Sequence, residues 1–336
     1  MMKKFAALLL TLLMAVSLIS CGSNPSQTTD PQQQGGAPST TGAADFPKGN
    51  VTWIIPLAAG SNGDVHGRKL AAIVERYLGA TIVVENIAGG NMATGTTQML
   101  GRNPDGYTIC QASPTLSTLL NSDDAPFKME DFRYLCAFNA EPNGFTVRSD
   151  SGWNSLEEVI EWAKANPGKL IASGSGSGGV QHLTLQLLAN QAGFEYTYIP
   201  YDGGKEAVLA LLGENCNAIG VTPSNCQSNY ESGELKLLGV SGSERMSRYA
   251  DAQAYSELGY DIPIVNWRGM VCSAKVPDDV FAVLEQAFMD AIQDPEWVAF
   301  NEEQGQLDGY FANSEEFEQL VADTNEAFLT AAASLD

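Results

Sequence analysis

Two glycine-rich stretches of this chain could bind an anion through their backbone. Residues 56–63 (PLAAGSNG) and 174–179 (GSGSGG) each follow a short apolar segment and precede a segment with helical spacing. The first turn of a helix leaves N–H groups without intrahelical acceptors, at the positive end of the helix dipole. Small residues let a carboxylate approach those groups. One such loop is a weak signal, but two loops on separate lobes could hold the two ends of a small diacid.

The same residues allow an enzymatic alternative, an exported serine hydrolase that uses Ser175 or Ser177 with His182. Such an enzyme needs a base within hydrogen-bond reach of the nucleophile. No G-x-S-x-G sequence surrounds the serines of either loop, so no nucleophile elbow is predicted. His66 and His182 each fall one turn inside a predicted helix, where a structural imidazole is the commoner role. The cysteines form no C-x-x-C pair, and we expect no metal and no cofactor.

The elements that must position the two loops alternate between strand and helix. Each loop joins a β-branched or apolar strand to an amphipathic helix, and a further strand follows. This alternation implies parallel sheets with helices packed on their faces, hence two α/β lobes. Ser155 and Glu158 form a capping box that opens one helix. The predicted strands are 51–55, 81–84, 169–173, 196–199 and 235–240, and the predicted helices are 64–78, 155–166, 180–192, 205–212, 278–293 and 314–332.

The N-terminus has the layout of an export signal. Lys3 and Lys4 precede an uncharged run over residues 5–19, which is shorter than the roughly 20 residues that span a bilayer. The ending Leu-Ile-Ser-Cys resembles the lipobox of bacterial lipoproteins, in which Cys21 is lipidated and becomes the first mature residue. We therefore predict a lipoprotein signal peptide over residues 1–20. Residues 21–46, rich in Ser, Thr, Gln, Gly and Pro, are predicted to be a flexible tether.

Composition excludes several other functions. With 44% apolar and 17% charged residues the chain is globular, and its formal net charge is −22. A negative field of this size argues against nucleic acid and against anionic lipid surfaces, so contact with the membrane is expected only through the anchor. Residues 174–179 also fit G-x-G-x-x-G, with Glu195 about 20 residues further on. We reject a dinucleotide site because soluble nicotinamide cofactors are not expected outside the cytoplasm. Cys216 and Cys226 could form a disulfide there, although nothing requires it.

Seven motifs occur in a fixed order along nearly the whole domain, from about residue 48 to 335. They are the segment 51–68 with Pro56, Gly60, Asp64 and Arg68, the segment 83–86 with Gly89 and Gly95, the turn 104–108 (PDGYT), the segment 167–170 (PGKL), the glycine-rich run ending in His182-Leu183, Pro200-Tyr201-x-Gly203, and Trp267-x-Gly269. In this order they resemble the extracytoplasmic solute receptors of tripartite tricarboxylate transporters.

The resemblance implies an α/β fold of the two-lobed periplasmic-binding-protein kind (type II, Venus flytrap). Lobe 1 would comprise residues 47–146 and 267–336, and lobe 2 residues 147–266. It also implies a receptor rather than an enzyme. Its partners would be a small carboxylate and the membrane permease subunits of the transporter. A sensory receptor that docks on a signalling partner is an alternative that the sequence leaves open.

The resemblance further assigns roles at the site. Residues 58–62 would donate backbone N–H groups to one carboxylate, and residues 175–179 would serve the second. Asp64 would order the first loop or reach the ligand, and Trp267 would line the cleft or the hinge. The implied ligand-binding residues are Ala58, Ala59, Gly60, Ser61, Asn62, Asp64, Ser175, Gly176, Ser177, Gly178, Gly179 and Trp267.

The chain departs from the family pattern at positions that bear on the ligand. Ser61 replaces a glycine, Gly179 replaces a Ser or Thr, and Asp202 replaces a lysine. The ligand class therefore stays broad: a di- or tricarboxylate, or a related organic acid, with amino acids and aromatic acids left open. Further residues could alter specificity, namely Asn62, Asn91, Asn139 and Glu141.

Overall fold

The computed structural model describes residues 46–122 and 124–333. The predicted signal peptide, the lipidation site Cys21 and the tether up to residue 45 lie outside the described residues. No helix in the part of the chain that is described is long and apolar enough to cross a membrane.

The first lobe is built on a five-stranded sheet with helices on both faces. Its central strands are parallel, whereas the last long strand of the chain returns antiparallel to both of its neighbours. In spatial order the strands are β2 (Ile82–Asn86), β1 (Val51–Ile55), β3 (Thr108–Ala112), β11 (Val265–Ser273) and β4 (Phe132–Pro142). One face packs against α1 (Asn62–Leu78), α8 (Asp278–Ile292) and α9 (Pro295–Glu303), and the other against α2 (Ala93–Leu100), α3 (Thr115–Leu120) and α10 (Ser314–Ala332).

The second lobe is built on a six-stranded mixed sheet. Its strands in spatial order are β10 (Gln253–Ala254), β9 (Leu235–Val240), β5 (Gly144–Arg148), β8 (Ala218–Val221), β6 (Leu170–Ser175) and β7 (Tyr196–Tyr201). Its helices are α4 (Leu156–Ala165), α5 (Val180–Ala192), α6 (Gly204–Leu212) and α7 (Gln227–Glu231). The two-lobed α/β fold predicted from the sequence is confirmed.

The chain crosses between the lobes twice. It leaves the first sheet at Pro142 and enters the second at Gly144, so Asn143 is the first crossing. It returns before Val265, where β11 begins. The first crossing falls three residues, and the second two residues, before the boundary expected from the sequence. Residues 144–146 therefore belong to the second sheet, and residues 265–266 belong to the first.

Helix α10 belongs to both lobes, although the sequence placed it in the first alone. Phe317 and Val321 are buried in the core of the first lobe. Phe328 and Ala331 are buried about two to four turns further along, in the core of the second lobe. The helix therefore bridges the two lobes beside the crossings.

Local capping explains where the helices begin. The Ser61 side chain caps α1 by accepting a hydrogen bond from the Asp64 N–H, and Gly79 ends the helix in the left-handed conformation (φ 71°). Ser155 caps α4 in the same way through the Glu158 N–H. The Glu158 carboxylate, however, accepts from the Asn154 N–H, so the predicted capping box is displaced by one residue at its return bond.

Candidate functional site

The loop between β1 and α1 is ordered by one buried carboxylate. Asp64 accepts hydrogen bonds from the Gly60 N–H (2.8 Å), the Arg68 Nε (2.9 Å) and the Asn86 Nδ2 (2.8 Å). Desolvation by burial raises the pKa of Asp64, but the three hydrogen bonds outweigh it and the pKa lies below its usual value. Asp64 thus holds the loop, one of the two roles that the resemblance implied.

The first turn of α1 has two backbone N–H groups without an intrahelical acceptor. Asn62 and Gly63 occupy the first two helical positions, so neither N–H has an intrahelical acceptor. The third N–H, of Asp64, is taken by the Ser61 Oγ (3.3 Å). A Cβ at Gly63 would overlap the Leu57 Cδ1, so a larger residue there would require the Leu57 side chain to move. The turn therefore offers two adjacent N–H groups at the positive end of a 17-residue helix.

A cavity of about 530 Å³ lies between the lobes at this turn. Its first-lobe wall is formed by residues around the N-terminus of α1 and the end of α9. Its second-lobe wall is formed by the N-terminus of α6 and the turn after β8. The lining residues are Gly60, Ser61, Asn62, Val65, Gly203, Gly204, Lys205, Glu206, Ser224, Asn225, Gln227 and Gln304. Three predicted site residues, Gly60, Ser61 and Asn62, thus line an interlobe cavity.

The second glycine-rich loop is internally hydrogen-bonded and does not line this cavity. The Ser175 N–H and Oγ both donate to the Gln181 Oε1 (2.9 Å each). The Gly176 N–H donates to the Tyr201 carbonyl, and the Gly178 N–H donates to the His182 Nδ1 (3.0 Å). A ligand role for residues 175–179 stays a prediction. Because Ser175 bonds to an amide rather than to an imidazole, these contacts do not form the pair that a serine hydrolase needs.

Trp267 lies inside the first lobe rather than at an open surface. It is fully buried, its Nε1 donates to the Thr324 Oγ1 (3.2 Å), and its ring meets Phe317 edge-on. A contact of Trp267 with ligand stays a prediction. Side chains alternate along a strand, so Asn266 and Arg268 point to the opposite face of β11, where both are part-exposed.

Five polar side chains form one face of the two crossing strands, which we call the hinge face: Asn139, Glu141, Asn143, Asn266 and Arg268. Asn266 pairs with Glu141 and Arg268 with Asn139 across the ladder. Sequence reasoning singled out Asn139 and Glu141 but missed Asn143, Asn266 and Arg268. The available signal was the appearance of polar residues at every second position, 139, 141 and 143, at the end of a mostly apolar strand and directly after it.

Glu141 ties the hinge face to the second lobe. It is fully buried, its Oε1 accepts from the Ser224 N–H (2.6 Å), and its Oε2 accepts from the Ser224 Oγ (2.9 Å). Burial raises the pKa of Glu141, although the charge of Arg268 and the bonds from Ser224 oppose the shift. Since Ser224 lines the cavity, this carboxylate fixes part of the cavity wall.

His66 is a buried neutral imidazole behind the same wall. Its Nδ1 lies 2.8 Å from the Asn62 carbonyl, which can only accept, so Nδ1 carries the proton. The Nε2 is then an acceptor, and it is buried without a partner. Burial, helped by the charge of Arg268, lowers the pKa of His66 to about 3. The structural role expected for His66 therefore leaves one ring nitrogen unpaired.

None of the five cysteines that the structure describes lines this cavity. Cys216 and Cys226, the pair for which a disulfide was considered, are both buried and unbridged, as are Cys110, Cys136 and Cys272. Within residues 46–122 and 124–333 no group of three or more His, Cys, Asp or Glu could hold a metal ion.

Two α/β lobes joined by crossing strands around a cavity define a two-lobed solute-binding protein. The chain belongs to the family described as "Tripartite tricarboxylate transporter family receptor" (TctC), whose model matches residues 67–329. This is a family of receptors that act outside the cytoplasm, not of enzymes.

Individual relatives agree with this assignment. The chain is 30% identical over 294 residues to the Cupriavidus necator "UPF0065 protein in gbd 5'region", covering 85% of this chain and 88% of the relative. It is similar in structure to a TctC solute-binding protein from Polaromonas (TM-score 0.79, 26% identity, 86% of this chain and 99% of the other). It is also similar to the periplasmic binding protein BugD (TM-score 0.69, 27% identity, 85% and 99%).

Proposed function

We propose that this protein is a lipid-anchored receptor that binds a small carboxylate in the interlobe cavity and delivers it to permease subunits of a tripartite tricarboxylate transporter. The observation that carries the proposal is the first turn of α1, where the Asn62 and Gly63 N–H groups have no intrahelical acceptor and Asn62 lines the cavity. A carboxylate placed there gains charge-assisted hydrogen bonds and the favourable end of the helix dipole.

Ligands of similar folds support a carboxylate. A structure of MatC from Rhodopseudomonas palustris holds malate (TM-score 0.68, 21% identity), and another R. palustris protein holds adipate (TM-score 0.72, 21% identity). Each covers 85% or 86% of this chain. Both molecules are small dicarboxylates, so the second carboxylate would be bound from the second lobe, where residues 175–179 remain our proposal.

The charge of the protein works against an anionic ligand at long range. The formal net charge is −22, whereas the site has to attract a negative ion. Salt screens charges beyond roughly 10 Å, so the local donors decide affinity at physiological ionic strength. Closing the lobes over the anion would then exclude water and strengthen these local bonds.

The lipid anchor and the tether would keep the receptor close to the membrane. Lipidated Cys21 would hold the protein at the membrane, and a tether of about 25 residues would raise its effective concentration at a permease. Mass spectrometry of the mature protein tests this part directly. A diacylated N-terminal Cys21 supports it, and an unmodified or differently cleaved N-terminus contradicts it.

A single substitution tests the backbone donor. Asn62→Pro removes the N–H at the first helical position, where proline is tolerated because that N–H has no intrahelical acceptor. The preceding residue, Ser61, already has the extended conformation (φ −66°, ψ 161°) that proline requires. Loss of one hydrogen bond to a charged group predicts a dissociation constant about tenfold to a hundredfold higher. Asn62→Ala is the matched control, because it changes the side chain and keeps the N–H.

The ligand is found first, by mass spectrometry of small molecules released from the purified protein. Isothermal titration of stripped protein then compares di- and tricarboxylates with amino acids, aromatic acids and neutral sugars. Binding of neutral sugars but of no acid contradicts the proposed function. Equal affinity in Asn62→Pro and Asn62→Ala contradicts the assignment of the N–H donor.

A further inference from the structure

The hinge face runs between the helices that follow the two glycine-rich loops. At one end the Asn143 Nδ2 donates to the Thr184 Oγ1 (3.0 Å) on α5, the helix after the second loop. At the other end the Asn139 Nδ2 donates to the Asn301 Oδ1 (3.1 Å) on α9. The Phe300 ring of α9 meets His66 on α1, the helix after the first loop. A ligand that bridges the two loops would therefore have the hinge face beneath its middle.

The two strands contribute differently to this face. Asn139 and Glu141 on β4, and Asn143 directly after it, are at most 2% exposed, whereas Asn266 and Arg268 on β11 are part-exposed. The ladder between β11 and β4 also shifts register between Arg268 and Gly269. Such irregularities re-aim side chains and are common next to functional sites. Arg268 is therefore the charged side chain of the hinge face that is not fully enclosed.

Arg268 has donors to spare. Its Nη1 donates to the Asn139 Oδ1 (3.1 Å) and to the Gln306 Oε1 (2.9 Å). A guanidinium carries five N–H donors. With the residues that the structure describes, the Nε and Nη2 of Arg268 make no hydrogen bond, so three donors remain on a largely enclosed cation.

The neighbouring carboxylate does not neutralise these donors by direct contact. Both oxygens of Glu141 are occupied by the N–H and the Oγ of Ser224. No ion pair joins Glu141 to Arg268 within 4.0 Å among the described residues. The open part of the hinge face is thus a hydrogen-bond donor with positive charge, which selects an oxygen and disfavours an ammonium group.

We infer that Arg268 is a specificity-determining residue, which binds an oxygen carried on the carbon skeleton between the two carboxylates of the ligand. The inference rests on the proposed function. Closure over an unsubstituted chain would bury the free donors of Arg268 without acceptors, which is costly. Closure over an amino group would place two cations together. The receptor should therefore prefer a hydroxy- or oxo-dicarboxylate to an unsubstituted or amino-substituted one of equal length.

Three four-carbon diacids test this preference by titration calorimetry: malate, succinate and aspartate, which differ in one substituent. We expect wild-type protein to bind malate about tenfold to a hundredfold more tightly than succinate, and aspartate no better than succinate. In Arg268→Gln the malate-to-succinate ratio should fall towards one. Arg148→Gln is the matched control, because it removes the same charge from a residue paired with Asp150 and Glu214 on the surface of the second lobe.

The measured quantity is the malate-to-succinate affinity ratio within each protein, so a general loss of stability does not change it. If Arg268→Gln does not fold, the order of affinities of the wild-type protein for the three acids tests the inference, together with Arg268→Lys. The lysine keeps the charge but offers a single donor atom, so it should lower the malate-to-succinate ratio partially. Equal binding of malate and succinate by wild type, or an unchanged ratio in Arg268→Gln, overturns the inference and leaves carboxylate binding intact. Binding of other acids but none of these three also overturns the inference alone. Binding of no acid at all overturns the proposed function instead.

Discussion

His66 should make the stability of this receptor depend on pH in a range where few other groups titrate. Its pKa in the folded protein is about 3, whereas an unfolded chain has a histidine pKa of about 6.5. As the pH falls below 6.5, the unfolded state takes up a proton and the folded state does not. The stability present at neutral pH is therefore lost progressively between pH 6.5 and about 3.

The size of the effect follows from these two values. Between pH 7.5 and pH 5 the proton taken up by the unfolded chain costs the fold about 2 kcal/mol, because the folded imidazole stays neutral throughout. The cause is structural. His66 is 0% exposed, and its Nε2 has no partner that could share a positive charge. The nearby guanidinium of Arg268 adds to the cost of protonation.

The measurement is urea unfolding followed by circular dichroism at both pH values, for wild type and for His66→Asn. Asparagine keeps an N–H donor near the position of Nδ1, so the hydrogen bond to the Asn62 carbonyl can persist. The variant should lose ring contacts with Phe300 and so be less stable overall. Its stability should nevertheless fall by about 2 kcal/mol less than wild type between the two pH values.

His182→Asn provides the control. Burial also lowers the pKa of His182, but this residue lies in the second lobe, so its substitution should leave the share due to His66 in place. If His66→Asn shows the same pH dependence as wild type, then His66 is protonated in the folded protein near its ordinary pKa. The burial of an Nε2 without a hydrogen-bond partner would then be wrong.

Two further substitutions test how the site is supported. Gly269→Ala should lower the free energy of unfolding by about 3 kcal/mol in urea titrations, since its Cβ would overlap the Phe317 ring. Gly49→Ala is the control and should leave the free energy of unfolding nearly unchanged, because its Cβ meets nothing within 4 Å. An equally small effect of Gly269→Ala would contradict the packing of Phe317 on Gly269. Asp64→Asn should destabilise by about 2 kcal/mol at pH 7. Because the pKa of Asp64 in the folded protein is lowered, the stability that its carboxylate contributes is present above about pH 4 and is lost as the pH falls through the folded pKa. A difference in the free energy of unfolding between Asp64→Asn and wild type that persists at pH 2 would contradict this role.

The bounds of several helices and strands could be predicted from the sequence. The bounds of α5, β9 and α10 agree with the prediction to the residue. In α5 the reason is a helical run that stops at Gly193, which adopts the left-handed conformation (φ 73°). Local signals of this kind are complete within a few residues, so no tertiary information is needed to read them.

The sharing of α10 between lobes could not be predicted. Phe317 and Phe328 both belong to its apolar stripe, and the stripe does not say which core each one enters. Arg268 was missed for a related reason. Alternation of polar and apolar residues in β11 normally predicts one solvated face, but helices cover both faces of this sheet. The polar residues of the hinge face were therefore brought inside by the lobe arrangement, which local sequence does not encode.

The crossing strands and α10 together restrict how the lobes can move. Phe317 packs on Gly269 of β11 in the first lobe, and Phe328 is held in the core of the second. Opening must therefore bend the chain near Asn143 and before Val265 while both ends of α10 stay buried. The Arg268 Nη1 bonds to Asn139 and Gln306, which both lie in the first lobe, so a rigid-body motion of the lobes would leave these bonds in place. Since only the closed form makes all contacts, the measured affinity is the intrinsic affinity reduced by the fraction of protein that can close.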